Sequence, residues 1–508
     1  MAEYGNVPGA GPLRPEGQAL AALPKTEKDL PSTPSRAAKR QGPGVERCRD
    51  LWGGNESVKG AGTRYLPQAP GEDLEAYNER LQRSVFFNAY RRTVEGLTGL
   101  VFSEDPILGK DVPAPFLEQW ENIDNAGTHG DVFLRDRMID ALIDGHTCIL
   151  VEFPATGGTQ SAADEWVIRP YWVPILKQNI LSWRTAVENG RTVLTQVVLR
   201  ECHYVPDGEF GEVEQIRYRV LYREMGIVGY RLLEVTSDNR VQVVDAGIYG
   251  NQNEIPLAEI TTSGRRGILD SDPPLLDLAY LNVAHYQQAS DEAFSRYKTC
   301  VGFLHLAGHE VERDDQGNPK GALTIGANTA LVSRDPSAKA EYVSHSGNAL
   351  SDCQNALENL KSEMGALGLA MLAPQKRSAE TAEAKRLDKA TSDSSLSVTA
   401  RGLQDGVERA MYFHAQYLRQ PSGGSITINR NYDDLLMGAD VMTAYATLVN
   451  AGFPERAVLK ALKEGGRIPE DEDVEVLLAE WMADREMKAA QAAEIAAVQR
   501  NDPTMNAA

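Results

Sequence analysis

The strongest constraint in this sequence is a narrow apolar stripe. Leu350, Cys353, Leu357, Leu360, Met364, Leu367 and Met371 follow one another at unbroken three- and four-residue steps. That spacing places them along one side of a helix suited to lengthwise packing on another long helix. The chain supplies a candidate partner in LLDLAYLNVAHYQQASDEAFSRYK, which ends near Lys298. Ser271–Asp272–Pro273–Pro274 marks its start, with a capping side chain followed by proline in the first turn. Between the two helices, residues 300–348 return to short β segments (VGFLHL, ALTIG, TALVS), with DDQGNP as a turn. The pattern predicts a hairpin of helices with a small β domain at its tip. Such a shape buries too little of itself alone, so its stripes need neighbours in a ring or another assembly.

The flanking segments predict an α+β body with a mainly antiparallel sheet. Leu74, Tyr77, Leu81, Val85 and Ala89, then Val94, Leu97 and Val101, suggest one helix over 74–102 that ends before Pro106. Val132–Ile143 reads as a helix closed by Gly145, and TCILVEF as the strand after it. From Trp166 to Val244 the pattern is β. After the stripe, LAPQKR interrupts, and Ser378 can cap a further helix with Glu380 and Glu383 near its positive first turn. Running to about Arg419, roughly 40 residues, it would span about 60 Å. Gly402 and Gly406 within it mark a bend or a close helix contact. A strand (SITINRN) and helices from Asp440 onward complete the chain, the last of them alanine-rich. Residues 1 to about 48, rich in Pro, Gly, Ala, Lys and Arg, read as a mobile arm whose removal costs little.

Composition narrows the function. Of 508 residues 42% are hydrophobic, enough for real cores. No apolar run reaches membrane-span length and no signal pattern opens the chain, so a soluble, intracellularly made protein is expected. Five scattered cysteines without a CxxC pair argue for reduced thiols and against zinc or a disulfide framework. With 72 acidic against 52 basic residues, the net charge is −20. Gripping DNA requires phosphate neutralisation, so this chain should repel DNA on average and attract it only at local basic spots.

No catalytic constellation emerges. GxxxxGK[ST], HExxH and GxSxG are all absent. GALTIGANT (321–329) has phosphate-loop glycines without the lysine and reads as strand and turn. His146 and Cys148 share a strand face, but that strand is apolar and nothing orients the imidazole, which favours a structural role. Asp433, Asp434 and Asp440 lack the regular spacing of a cation shell. Tyr286, Phe294 and Tyr297 have helical spacing beside leucines, as core or interface residues do. His285 and His414 suit helix surfaces or interfaces better than switches. No cofactor or metal is implied.

Four long segments carry a resemblance: YLPQAPGEDLEAYNERLQRSVFFNAYRRTVEGLTGLVFSEDP (65–106), IDGHTCILVEFP (143–154), RPYWVPILKQNILSWR (169–184) and DPPLLDLAYLNVAHYQQASDEAF (272–294). In their order they resemble a family of tailed-bacteriophage portal proteins otherwise known only as a domain of unknown function. The likeness runs from about Tyr65 to Tyr417; beyond about 440 only helical character matches. It implies a portal fold assembled as a ring. Residues 1–48 would be an arm, 49–270 the wing, 271–299 the first stem helix and 300–348 the clip. Residues 349–371 would be the second stem helix, 372–378 the tunnel loop, 379–419 a long wing helix, 420–436 a returning wing strand and 437–508 the crown and tail. The resemblance further implies a ring, usually a dodecamer, at the capsid vertex of the virion, assembled in the host cytoplasm. Its partners would be double-stranded DNA in the channel, the terminase large subunit, capsid and scaffolding proteins, and head-completion or tail adaptor proteins, with no membrane.

Two sets of residues are then expected to carry the function. Leu350, Leu357, Leu360, Met364 and Leu367 would form the stem interface between subunits. Lys376 and Arg377 form a basic pair at the loop; on a lone chain they would simply be solvated, whereas a ring would repeat them as a positive band inside an acidic protein. The competing reading is a nuclease or hydrolase in the α+β body, which requires clustered acids or a nucleophile–base pair. A different connector protein sharing long helices is argued against by the β insert.

Overall fold

The computed structural model describes residues 30–154, 168–262, 264–301, 303–307, 339–343, 348–370 and 395–430, and the isolated positions 337, 456, 478 and 479. The fold is α+β, and every strand pairing among the described residues is antiparallel.

Its centre is strand β2 (His146–Glu152), buried at every position. Strands β3 (Tyr171–Leu176) and β9 (Leu257–Thr261) flank it in a three-stranded sheet ordered β3-β2-β9. Because side chains alternate along a strand, β2 feeds two cores. Ile149 and Val151 join a helical core with Leu134, Met138, Leu403 and Val407. Cys148 and Leu150 join a second core with Ile175, Val197, Leu199 and Leu221. The latter three residues belong to a five-stranded meander of β4 (Ile180–Glu188), β5 (Arg191–Asp207), β6 (Gly211–Glu224), β7 (Ile227–Val235) and β8 (Val241–Ile248). The body is thus three layers: helices, a small sheet and a larger sheet.

Helix α6 (Gly130–Asp144) ends where expected, at Gly145 in the left-handed conformation (φ 89°). On the same side lies α9 (Ser395–Tyr417), the described part of the long helix expected over 379–419. Gly402 and Gly406 mark neither a bend nor a helix contact but close approach to β9. A Cβ at Gly402 would stand 2.0 Å from Thr261 O, and one at Gly406 would stand 2.7 Å from Glu259 O.

Three expectations are corrected. The arm does not extend to residue 48, because α1 (Arg36–Gly53) is capped by Ser35 Oγ and buries Gln41, Val45, Cys48 and Leu51. Pro43 and two flanking glycines hid this helix; residues 1–29 lie outside those described. The single helix over 74–102 is two, α3 (Leu74–Arg83) and α4 (Ala89–Val101). Ser84 Oγ donates to Arg80 O at 2.7 Å and Asn88 caps the second helix, leaving Val85 73% exposed. The first stem helix starts later than Ser271, which pairs with Arg265 in a short strand pair, β10 (Arg265–Gly267) with β11 (Asp270–Ser271). Helix α7 covers Leu276–Val301.

Gly402→Ala should lower stability by about 1–3 kcal/mol or more, since backbone rather than a flexible side chain blocks the new methyl. Gly99→Ala, on an exposed helix position with no atom within 4 Å of the added Cβ, should be neutral or stabilising by up to about 1 kcal/mol. Chemical denaturation of both variants measures the contrast.

Candidate assembly interface

Helix α7 grows out of the body core. Leu275, Leu278, Ala279 and Tyr286 are buried there, and Phe86 meets the Tyr286 ring edge-on at 5.8 Å. Asn282 pins the helix to the start of α4: its Oδ1 accepts from Tyr90 N at 2.9 Å and its Nδ2 donates to Phe87 O at 2.8 Å. Just over two turns beyond Asn282, Ser84 Oγ bonds Ser290 Oγ at 2.7 Å. Farther out the helix opens to solvent, where Tyr297 is 47% exposed under the Arg83 guanidinium, 4.2 Å from the ring centre. Strand β12 (Phe303–Ala307) then pairs with β13 (Lys339–Val343), from Phe303 opposite Val343 to Ala307 opposite Lys339. Helix α8 (Asn348–Ala370) returns along α7. The segments ALTIG, TALVS and DDQGNP lie outside the described residues.

The stripe on α8 divides into two parts. Met364 is buried in the body core with Leu367 packed against it, and a Cβ on Gly368 would stand 3.1 Å from Thr93 Cγ2 of α4. Met364 is therefore consumed within the subunit, which corrects its expected place in a subunit interface. Leu357 and Leu360 are half-buried and Cys353 is exposed. Leu350 lies on the helix, but its side chain is outside the described set, as are Lys376 and Arg377 and the acids Asp433, Asp434 and Asp440.

Burial dominates the setting of His146 and Cys148 on β2. His146 Nδ1 stands 2.9 Å from Ser271 Oγ, and burial pushes its pKa down. Burial drives the Cys148 thiol up, so the two do not form a thiolate–imidazolium pair. Among the described residues, no group of three or more His, Cys, Asp or Glu side chains could hold a metal ion, and no helix is long and apolar enough to cross a membrane. His285 and His414 are buried rather than on a helix surface, because both sit on the core side of their helices. His414 lies edge-on to Phe116 at 4.8 Å, with Nε2 2.7 Å from Gln119 Oε1.

One polar cluster was not legible beforehand. Arg49 Nε and Nη2 donate to Asp144 at 2.8 and 2.6 Å, and Nη2 also donates to Asp140 at 2.8 Å. Lys177 Nζ donates to Asp144 O at 2.8 Å and to Ser271 O, and burial pushes its pKa down to about 8. A basic residue every few positions in residues 36–49 looked like a charged arm; the signal for a buried helix was the spacing of Gln41, Val45 and Cys48.

The family model described as Domain of unknown function (DUF4055) matches residues 274–418, less than a third of the chain. No curated protein sequence matches the chain. Among solved structures, a chain of "Virion of native gene transfer agent (GTA) particle" is 12% identical at a TM-score of 0.36, covering 78% of this chain and 95% of that one. A chain of "Neck of native GTA particle computed with C12 symmetry" is also 12% identical at 0.36, covering 77% and 89%. At these values the folds are only loosely alike.

Buried His414 has its pKa lowered to about 3, chiefly by desolvation, then by the Arg169 charge. The unfolded chain takes up a proton near pH 6.5, whereas the folded one does so only near 3. The unfolded state thus binds more protons in between, and stability falls as pH drops through that window, by at most about 1.4 kcal/mol per unit. His414→Gln should flatten the acid limb of a melting-temperature profile between pH 6.5 and 4.

Proposed function

We propose that this chain is the subunit of a portal ring, a conduit for double-stranded DNA at a capsid vertex of a tailed-phage-like virion, with no turnover of its own. The observation that carries this reading is the helix–strand–strand–helix projection of α7, β12, β13 and α8. It is rooted in the body by Tyr286, Asn282 and Met364, and beyond that root Leu357, Leu360 and Tyr297 stay partly open. A subunit that spends so many residues on a thin projection gains its missing burial from neighbours, and closed rings are the usual solution for head-to-tail copies. The segments whose sequence resembles the portal family supply most of α7, the helices α3 and α4 at its root, and strands β2 and β3.

On this reading residues 300–348 form the clip that docks the terminase large subunit and later the head-completion or tail adaptor proteins. Capsid and scaffolding proteins meet the outside of the ring. Lys376 and Arg377 would face the channel. Two positive charges per subunit would form a band felt only by phosphates passing within about 8 Å at physiological salt. Such a band, in a chain of net charge −20, suits DNA that must slide rather than stick.

Negative-stain microscopy of the purified protein should show rings with a central hole; a monomer at every concentration would overturn the proposal. Lys376→Glu with Arg377→Glu should leave the rings unaltered and reduce packaged or retained DNA. The double alanine variant should do so more mildly, because it removes attraction without adding repulsion. Normal packaging and retention by the glutamate variant would remove the pair from the channel.

A further inference from the structure

The five-stranded meander covers the second core with one face; on the other, Val198 and Val220 are buried, while Tyr204, Ile216, Val243 and Ile248 stay at least a third exposed. Register identifies the outer face. Arg200 stands opposite Tyr218, Cys202 opposite Ile216 and Tyr204 opposite Glu214; on the next strand Leu233 stands opposite Tyr218 and Arg231 opposite Val220. A solvent-facing antiparallel sheet normally turns polar residues outward. This one turns out Tyr204 (41% exposed), Ile216 (38%), Val243 (48%) and Ile248 (68%).

Charge on this sheet is divided in a way the fold alone does not require. On the inner face every strand-β6 arginine has a carboxylate: Arg217 with Glu234, Arg219 with Glu152 and Glu201, Arg223 with Glu188. On the outer face Arg184, Arg200 and Arg231 have no carboxylate within salt-bridge distance among the described residues. The contacts of two of them are Arg200 to Cys202 Sγ at 3.8 Å and Arg231 over the Tyr222 ring at 5.2 Å. The far end is the opposite. The β5–β6 turn carries Asp207, Glu209, Glu212 and Glu214 around Phe210, which is 93% exposed. Glu212, opposite Pro206, shares the outer face with Arg200 but lies six residues farther along the ladder. That is roughly 20 Å, and Glu214 opposite Tyr204 lies roughly 13 Å along; both exceed the Debye length of about 8 Å, so salt screens most of the attraction between the two ends of one sheet.

We propose that this face joins copies of the chain head to tail. The acidic, Phe210-tipped end of one copy's β5–β6 ribbon seats on the arginine-bearing base of the next copy's sheet. The occupant is assigned by charge: the unpaired cations of one end match the unpaired carboxylates of the other, across an apolar middle that both copies need to bury. DNA would suit the arginines but not Glu212 and Glu214 on the same face. A contact between two different patches propagates around a ring. The inference rests on the proposed function only in requiring that copies associate.

The test uses the full chain in two charge-reversed forms, followed by light scattering and sedimentation. Arg200→Glu with Arg231→Glu, and separately Glu212→Arg with Glu214→Arg, should each raise the concentration for half-assembly at least about tenfold. An equal mixture of the two forms should assemble again, because reversed tips meet reversed bases. Assembly of either form like the wild type overturns the contact, as does failure of the mixture to recover when both forms melt like the wild type. If reversal impairs folding, Phe210→Ser at the exposed turn replaces it, with the same loss of assembly expected; wild-type assembly by that variant overturns the contact. A wild-type chain that never assembles overturns the ring reading itself. DNA binding that is lost on reversing the arginines, with assembly intact, assigns the face to nucleic acid instead.

Discussion

Burial of β2 on both faces is the constraint on which the rest of the structure depends. A strand with no solvent-facing side needs a packed layer on each side, and HTCILVE supplies mainly apolar groups to both, with Thr147 Oγ1 donating to Ile175 O and Glu152 paired with Arg219. The helices α6 and α9 close one side and the meander closes the other. The strand's entry also fixes where the projection begins. Gly145 O accepts from Thr262 N at 3.1 Å and from Thr262 Oγ1 at 2.8 Å. A Cβ on Gly145 would stand 2.4 Å from Asp272 O, so the backbone leading into α7 passes directly against the turn that starts β2. The body and the projection are thereby set by one tight crossing.

A second constraint is ionic. Asp144 is fully buried, and desolvation raises its pKa against the opposing pull of Arg49. Removing either partner of such a pair costs about 3–5 kcal/mol, while the intact pair contributes little net stability. Its effect is positional: α1 cannot lie elsewhere without stranding the Asp144 carboxylate. Lys177 and the Ser271 carbonyl extend the same network from α1 through α6 to the segment preceding α7. The N-terminal helix is therefore tied by charge to the base of the projection.

How much of this was legible follows from which signals were local. The α6–Gly145–β2 unit was readable because cap, periodicity and strand all lie within two dozen residues. The antiparallel meander was readable from alternation and turn glycines. Helix α1 was not, because its apolar positions are few and its stabilising partners, Asp140 and Asp144, are almost a hundred residues away. The break at Ser84–Asn88 was hidden because Val85 kept the helical spacing although its side chain faces solvent. Met364 followed the stripe as faithfully as Leu357 did, yet tertiary packing put one in the core and left the other half-open. Gly402 and Gly406 announced a close approach without saying to what. Of the candidate site, the projection's order was legible, the division of labour along its stripe was not, and the outer face of the meander emerged only from register.

The charge of the chain bears on how copies come together. At −20 each, copies repel one another at long range, and only contacts within roughly a Debye length escape that cost. Association must therefore come from apolar area, from local cations facing local carboxylates, or from both. Two places on the described surface offer these: the half-open stripe of α8 along the projection, and the outer face of the meander with its unpaired arginines. The inner-face arginines already face Glu152, Glu188, Glu201 and Glu234. On the proposed function, the same acidity that would keep DNA from adhering to a channel wall would restrict contacts between subunits to few, apolar and locally charge-matched patches.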